Sequence, residues 1–308
     1  MSLRFIKSGL QTSIQGAGRI GYMHQGISRS GAMDSLSLQL ANHLVFNPIN
    51  QAAIEITLVG PVIEFTQALS FAICGAEFEL ELNGQSFSNN EVVHAKAGDV
   101  LTFKKLLNGI RAYLAIAGKI DVDKVFSNQS THLIAGFGGF NGRPFIAGDR
   151  LNIIDTHKVN TRSLPSEYKP VFSGHYLLRC VEGLEAATFD DEAIKTFYNS
   201  SYSISNDSNR MGLRLETDTV IESNSVDMIS SGLVQGSIQV PPSGMPIISS
   251  VDGQTIGGYP RIANVISSEL HILGQLKAGD RISFSLLSHE EAINQFKSKQ
   301  VFLDKLFC

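Results

Sequence analysis

Short runs of alternating apolar and polar residues, separated by turn-forming residues, dominate the chain and predict a mainly β protein with few α-helices. Glu77-Phe78-Glu79-Leu80-Glu81-Leu82 alternates at period two and runs into Asn83-Gly84, the dipeptide suited to a type I′ hairpin turn. Further strands are expected at 53–58, 62–65, 70–74, 100–103, 112–116, 151–154, 176–181, 237–240 and 282–286. One phrase recurs three times: Ala97-Gly98-Asp99, Ala147-Gly148-Asp149 and Ala278-Gly279-Asp280 each precede an alternating run. Its structural meaning is a turn that starts a strand, with glycine at positive φ. Its presence in both halves suggests two related β-domains.

Helical periodicity is rarer. Leu36, Leu40, Leu44 and Val45 share one face of a segment at 34–46, with Asp34 as N-cap and Asn47-Pro48 as its end. A second short helix is expected at 190–198, and a third begins at the Ser288-x-x-Glu291 capping box and continues toward Leu306. Between Asp155 and Gly174 the chain turns polar and carries Pro165 and Pro170, which places a domain boundary there, at 164/165.

Composition narrows the function classes. Of 308 residues, 43% are hydrophobic and 18% charged, which suits a compact fold of two domains. The formal charge of -4 is spread along the chain without a basic block, so nucleic acid is not an expected partner. The amino terminus lacks the apolar core of a signal peptide and no apolar run reaches membrane-spanning length, which predicts a cytoplasmic protein with no membrane partner. Cys74, Cys180 and Cys308 form no C-x-x-C pair, so structural thiols are expected, and no metal site is indicated.

Several motifs carry candidate chemistry. Gly16-Ala17-Gly18-Arg19-Ile20-Gly21 is a literal GxGxxG, but a dinucleotide loop opens directly into a helix, whereas Gly26 and Gly31 interrupt the residues after this string. Gly136-Phe137-Gly138-Gly139-Phe140-Asn141-Gly142-Arg143 has the composition of an anion cradle or, more economically, of a surface loop. His24 is a candidate acid or base in a polar, glycine-rich segment. Glu55, inside an apolar strand, must be paired or functional if it faces the core. Arg210, within Ser208-Asn209-Arg210-Met211-Gly212, suits a carboxylate or phosphate-like group, or a surface salt bridge. The most concentrated signal is Asp252-Gly253-Gln254-Thr255-Ile256-Gly257-Gly258-Tyr259-Pro260-Arg261, polar residues and glycines between two apolar runs. It reads either as a binding loop or as a well-made turn.

Taken together, Gly18-Arg19 through Gly26, Ser30-Gly31-Ala32-Met33-Asp34, Leu40-Ala41-Asn42, Ala53-Ile54-Glu55-Ile56, the 208–212 segment and the 254–263 segment resemble the biotin-dependent carboxyltransferase family. That family includes the KipA proteins, the so-called allophanate hydrolase subunit 2, the carboxyltransferase region of urea carboxylase and the C subunit of bacterial 5-oxoprolinase. A free-standing chain of this length is most similar to the last branch. The resemblance implies two cyclophilin-like β-barrel domains and a complex with the A and B subunits of 5-oxoprolinase, the latter KipI-like. It further implies ATP-dependent conversion of 5-oxo-L-proline to L-glutamate, with ATP and Mg²⁺ bound within the complex, on this chain or outside it. Phosphorylation of the amide oxygen would make the lactam carbonyl a better electrophile for water, a step that asks for cationic forks and groups that fix the ring. The resemblance points to Arg19, Asp34, Arg210, Asp252 and Tyr259 as catalytic candidates. It points to His24, Asn42, Glu55, Asn209, Gln254, Thr255, Gly257, Gly258 and Arg261 as substrate-binding candidates.

The chain departs from the family pattern at Gln15-Gly16, where Gln-Asp is usual, at Phe46, where glycine is common, and at Glu182-Gly183-Leu184, where Gly-Pro is expected. No Met-Lys-Met biotin-attachment tetrapeptide is present, so no covalent biotin is expected on this chain. Two alternatives stand beside the leading one: carboxyl transfer from carboxybiotin to a urea-like amide, and a KipA-like regulator that binds a KipI-type kinase inhibitor.

Overall fold

A computed structural model of the chain describes residues 2–222 and 228–307. Cys308, expected as a structural thiol, lies outside the described residues. Contacts divide the chain into two compact units, one of residues 1–20 and 29–172, the other of residues 21–28 and 173–308. The crossing after Phe172 falls within the polar 155–174 stretch, and the short 21–28 segment groups with the second unit.

The first unit contains β1 (Leu3–Lys7), β2 (Gln11–Gln15), β3 (Ala53–Thr57), β4 (Val62–Phe65), β5 (Leu69–Leu82), β6 (Gln85–Phe87), β7 (Val92–Ala95), β8 (Val100–Ile116), β9 (Lys119–Ile120), β10 (Arg150–Leu151) and β11 (Ile153–Ile154). Nine of these form one curled sheet in the order β10-β1-β4-β8-β3-β2, with β5 paired to β8 and carrying β6 and β7. The runs expected as separate strands at 70–74 and 77–82 are one strand of 14 residues, and those at 100–103 and 112–116 are one of 17. They stay continuous because β5 and β8 pair with each other from Phe71↔Ile116 to Leu82↔Leu101, absorbing the polar and glycine residues in register shifts after Gly75 and Phe78. One end of β8 pairs with β4 and the other with β3, and this handover curls the sheet into a half-barrel. Phe5, Phe65, Phe71 and Phe145 belong to the buried core of this unit, with Phe5 and Phe145 stacked at 3.9 Å.

Local sequence signals hold well here. Asn83 and Gly84 adopt φ 54° and 78°, the left-handed pair a type I′ turn needs, and Leu82 pairs with Gln85 across it. The three Ala-Gly-Asp phrases form the same turn: Gly98, Gly148 and Gly279 have φ 92°, 94° and 85°. In each, the aspartate carboxylate accepts from the backbone N–H three residues earlier, at 2.7 Å for Lys96, 2.8 Å for Ile146 and 3.0 Å for Lys277. The helix α1 (Ser35–Leu44) begins at Asp34, whose carboxylate accepts from the Ser37 N–H at 3.0 Å. Gly16 and Gly18 of the GxGxxG string serve chain packing: Ala32 N–H donates to Gly16 O at 2.9 Å, and a Cβ on Gly18 would meet Ser30 O at 2.7 Å.

The second unit contains β12 (His175–Glu182), β13 (Tyr202–Ile204), β14 (Gly212–Glu216), β15 (Ser231–Gly232), β16 (Ser237–Gln239), β17 (Ile247–Ser249), β18 (Ile256–Gly257), β19 (Arg261–Val265) and β20 (Arg281–Leu286). Seven strands close a barrel in the order β12-β19-β16-β17-β14-β13-β20, sealed by parallel pairing of β12 with β20. Leu178, Leu213, Leu215, Ile238, Ile248 and Phe284 point into its core. The helix α2 (Asp191–Asn199), capped by Asp190, stacks Phe197 on Phe284 at 4.7 Å. The last helix, α3 (His289–Phe307), starts at the expected capping box: Ser288 N–H donates to Glu291 at 2.8 Å and Glu291 N–H donates back at 3.2 Å. The mainly β expectation is met, with three α-helices among the described residues, a closed barrel in the second unit and an open curled sheet in the first. Among the described residues, no helix is long and apolar enough to cross a membrane.

Candidate functional site

The 252–261 segment lies against a cavity of about 220 Å³ in the second unit. The cavity rests on the outward face of three neighbouring barrel strands. Along β14, Leu213 and Leu215 enter the core, so Gly212 and Arg214 face out, and register sets them beside Ser249 and Ile247 of β17. Gln239 of β16 is paired with Ile247 and completes this floor. Asn209 and Met211 come from the loop before β14, and Gln254 and Tyr259 from the 252–261 loop.

Two ion pairs, one buried and one half-buried, hold these loops. Arg210 Nε donates to Asp252 Oδ2 at 2.7 Å and Arg210 Nη2 to Oδ1 at 3.3 Å, with side chains 4% and 0% exposed. The backbones are tied as well, since Asp252 N–H donates to Arg210 O at 2.9 Å. Burial of either charge alone would be costly, and mutual neutralisation removes that cost while fixing both loops. Arg261 grips Glu185 through two nitrogens, with Nε to Oε2 at 2.5 Å, and also donates to Gly232 O at 2.6 Å and Ser231 Oγ at 2.8 Å. Its hydrogen bonds hold the Glu185 carboxyl below the usual carboxylate range, and Glu185 in turn raises the Arg261 guanidinium. This clip secures the small β15–β18 ladder, to which Thr255 adds a carbonyl that accepts from Leu233 N–H at 2.9 Å. At Gly257 a Cβ would meet Gln239 Nε2 at 2.6 Å, so a side chain there would displace the Gln239 carboxamide; Gly258 faces Ser230.

The groups left facing the cavity are mostly neutral amides. The Asn209 side-chain oxygen accepts from Met211 N–H at 2.8 Å, leaving its NH₂, and Gln239 donates to Tyr259 O at 3.3 Å, leaving its oxygen. Gln254 is exposed, and its carboxamide has no hydrogen-bond partner among the described residues. Tyr259, 44% exposed, places its ring at the rim. Met211, Leu233 and Ile247 supply an apolar wall. Of the candidates from sequence, Asn209, Gln254 and Tyr259 line the cavity, while Arg210, Asp252, Thr255, Gly257, Gly258 and Arg261 build its frame. Arg214, Gln239 and Ser249 were missed. The alternation Gly212-Leu213-Arg214-Leu215 marks Arg214 as outward-facing, but only strand register puts it beside Ser249 and Ile247.

The remaining candidates sit elsewhere. His24 is exposed in the 3₁₀ turn Met23–Gln25, with its ring 3.2 Å from Gln25 Nε2. Arg19, Asp34, Asn42 and Glu55 belong to the first unit and are buried there. Glu55 Oε2 accepts from Met33 N–H at 3.0 Å and from the Tyr113 hydroxyl at 2.7 Å, and Tyr113 Oη accepts from Asp34 N–H at 2.7 Å. Arg111 lies 3.9 Å from the same carboxylate. Burial, then the charges of Glu55 and Asp34, raise the Tyr113 phenol well above its ordinary value, so it remains a donor. Asn42 donates to Gln51 O at 2.8 Å and accepts from Asn47 at 3.2 Å. Arg19 donates to Ser130 O at 2.5 Å and Val125 O at 3.2 Å and lies over Phe137 at 4.7 Å.

The glycine-rich 136–142 loop is partly closed on itself. Gly136 and Gly142 N–H groups donate to His132 O and Gly138 O, Arg143 is doubly bonded to Asp149, and Asp121 and Asp123 line the adjoining space. Cys74 and Cys180 are buried, and burial raises both thiols, so neither is a thiolate nucleophile near neutral pH. Among the described residues, no group of three or more metal-ligating side chains is assembled.

A family model described as carboxyltransferase domain, subdomain A and B, matches residues 25–286, and the chain belongs to that family. It is 38% identical to the C subunit of 5-oxoprolinase from Escherichia coli (strain K12), over 99% of this chain and 97% of that protein. It is 33% identical to the urea amidolyase of Saccharomyces cerevisiae, covering 97% of this chain but 17% of that enzyme. The solved urea carboxylase of Kluyveromyces lactis superposes with a TM-score of 0.93 at 30% identity, over 99% of this chain and 29% of that one.

Proposed function

We propose that the chain is the C subunit of a 5-oxoprolinase complex and that the outer-wall cavity holds the lactam substrate. The carrying observation is the chemistry of that cavity: Asn209, Gln239 and Gln254 present carboxamides beside an apolar wall in about 220 Å³. A carboxamide offers both a donor and an acceptor, the complement of a cyclic amide, and the space suits a small ring better than a nucleotide. Near full-length similarity to a protein named as the C subunit of 5-oxoprolinase supports the same reading.

In this reading, the A and B subunits, the latter KipI-like, complete the enzyme, and ATP with Mg²⁺ binds in the complex outside this cavity. ATP supplies the phosphoryl group that activates the amide oxygen, water adds to the carbonyl carbon, and the ring C–N bond breaks to give L-glutamate, ADP and phosphate. This chain's residues orient the ring and hold it away from bulk solvent, with Gln254 and Tyr259 closing over the amide edge. The buried Arg210–Asp252 pair and the half-buried Arg261–Glu185 pair keep that loop in place. Purified A and B mixed with this chain should release glutamate from 5-oxoproline in an ATP-dependent manner, and Gln254→Ala should lower turnover. Equal activity with this chain omitted would sink the proposal.

The family model and the urea carboxylase likeness support a second reading, carboxyl transfer from carboxybiotin to a urea-like amide. It would require a separate biotin carrier, and carboxylation of urea in its presence would favour it.

A further inference from the structure

The cavity also carries a charge selection that its carboxamides do not explain. Its lining includes one formally charged side chain, Arg214, and no aspartate or glutamate. The other two arginines of these loops are neutralised at short range, Arg210 by Asp252 and Arg261 by Glu185. Arg214 differs: only its backbone groups are engaged, with Ser208 Oγ at 3.0 Å and with Ser205 N–H at 2.9 Å. Its guanidinium has no hydrogen-bond or ion-pair partner among the described residues. It projects from the same strand face as Gly212, which carries no side chain to obstruct it.

We propose that Arg214 is the anion-recognition residue of this cavity and selects small amides that carry a carboxylate over neutral ones. The inference rests on the lactam-binding reading and deepens it. A five-membered lactam with its carboxylate on the carbon next to nitrogen presents both features within one ring, the amide edge to the carboxamides and the anion to the guanidinium fork. Urea has no such anion. Arg214 is therefore a specificity residue that acts on binding, while the amide-facing groups act on the reacting carbonyl.

The test uses the reconstituted complex with Arg214→Gln and Arg214→Lys, and with 2-pyrrolidinone as the lactam that lacks the carboxylate. Arg214→Gln should raise KM for 5-oxoproline about tenfold or more, the worth of a charge-assisted contact, with a smaller change in kcat. Arg214→Lys should recover part of the loss, since it restores charge without the fork. Wild type should prefer 5-oxoproline over 2-pyrrolidinone as a ligand, and Arg214→Gln should lose that preference. An unchanged KM with preference intact overturns the assignment. If Gln254→Ala and Tyr259→Phe raise KM while Arg214→Gln does not, the cavity stands and Arg214 falls. If none of the three has an effect, the lactam site itself is misplaced. Should the complex release no glutamate, calorimetric binding of the two lactams to it decides the point, and equal affinity overturns the inference.

Discussion

The buried polar cluster of the first unit and the cavity lining of the second differ in accessibility and in charge: the cluster holds two carboxylates, Glu55 and Asp34, and the lining holds none. Glu55, Tyr113, Asp34 and Arg111 are at most 5% exposed, and the first three bond in series with Met33. Around the cavity, Gln254 and Arg214 are exposed and have side-chain donors and acceptors to spare. In the first region the side chains answer a folding problem, how to anchor the segment before α1 on strands β3 and β8. In the second, carboxamides and one arginine are kept available by a frame of ion pairs. Accessibility is what sets the second region apart from the first.

The comparison breaks most readily at Glu55. Glu55→Ala removes the acceptor of Tyr113 and Met33 and the carboxylate beside Arg111, so it should cost about 3–5 kcal/mol in chemical denaturation. A loss under about 1 kcal/mol would show the cluster to be dispensable and erase the contrast.

A second test lies within the second unit. Arg210→Ala leaves Asp252, 0% exposed at its side chain, without its partner and should cost on the order of 3 kcal/mol. Gln254→Ala should change stability by less than about 0.5 kcal/mol while lowering turnover of the complex. Similar stability losses in both would merge frame and site.

The Glu185–Arg261 clip gives a pH signature. Because Glu185 is held below its ordinary range in the folded chain, the folded state binds this proton less readily than the unfolded one. Its stabilisation is therefore fully present above the ordinary glutamate value of about 4.3 and is lost as pH falls through the lower, folded value. Glu185→Gln should flatten the acid limb of stability measured from pH 5 downward, and an unaltered limb would argue against the clip.

The smallest effect is expected at Phe46. This residue has φ 56°, a left-handed conformation that favours glycine. Phe46→Gly relieves a left-handed strain of about 1–2 kcal/mol but removes the contact of Arg162 with the ring at 4.6 Å, worth about 0.5–1 kcal/mol. A net gain below about 1.5 kcal/mol in thermal unfolding is the expected outcome.

Much of the fold was legible because its signals are local. The Asn83-Gly84 turn, the three Ala-Gly-Asp turns, the Asp34 cap and the Ser288 capping box each depend on groups within three residues of one another. Strand length was less legible, since β5 and β8 run through polar stretches only because each supports the other. The site was legible as a set of segments and no further. Motif residues at 209, 254 and 259 line the cavity, yet Arg210 and Asp252, prominent in the same motifs, are joined to each other across 42 residues of sequence.

The amino-acid sequence alone therefore determined the β-rich class, the turns, the helix starts and the family resemblance, because these follow from contacts between near neighbours and from residue order. Tertiary structure decided which arginines are neutralised and which stands open to a ligand. That choice depends on strand register and loop packing, which bring Asp252 to Arg210 and Glu185 to Arg261 while leaving Arg214 on an outward face without an ion pair among the described residues.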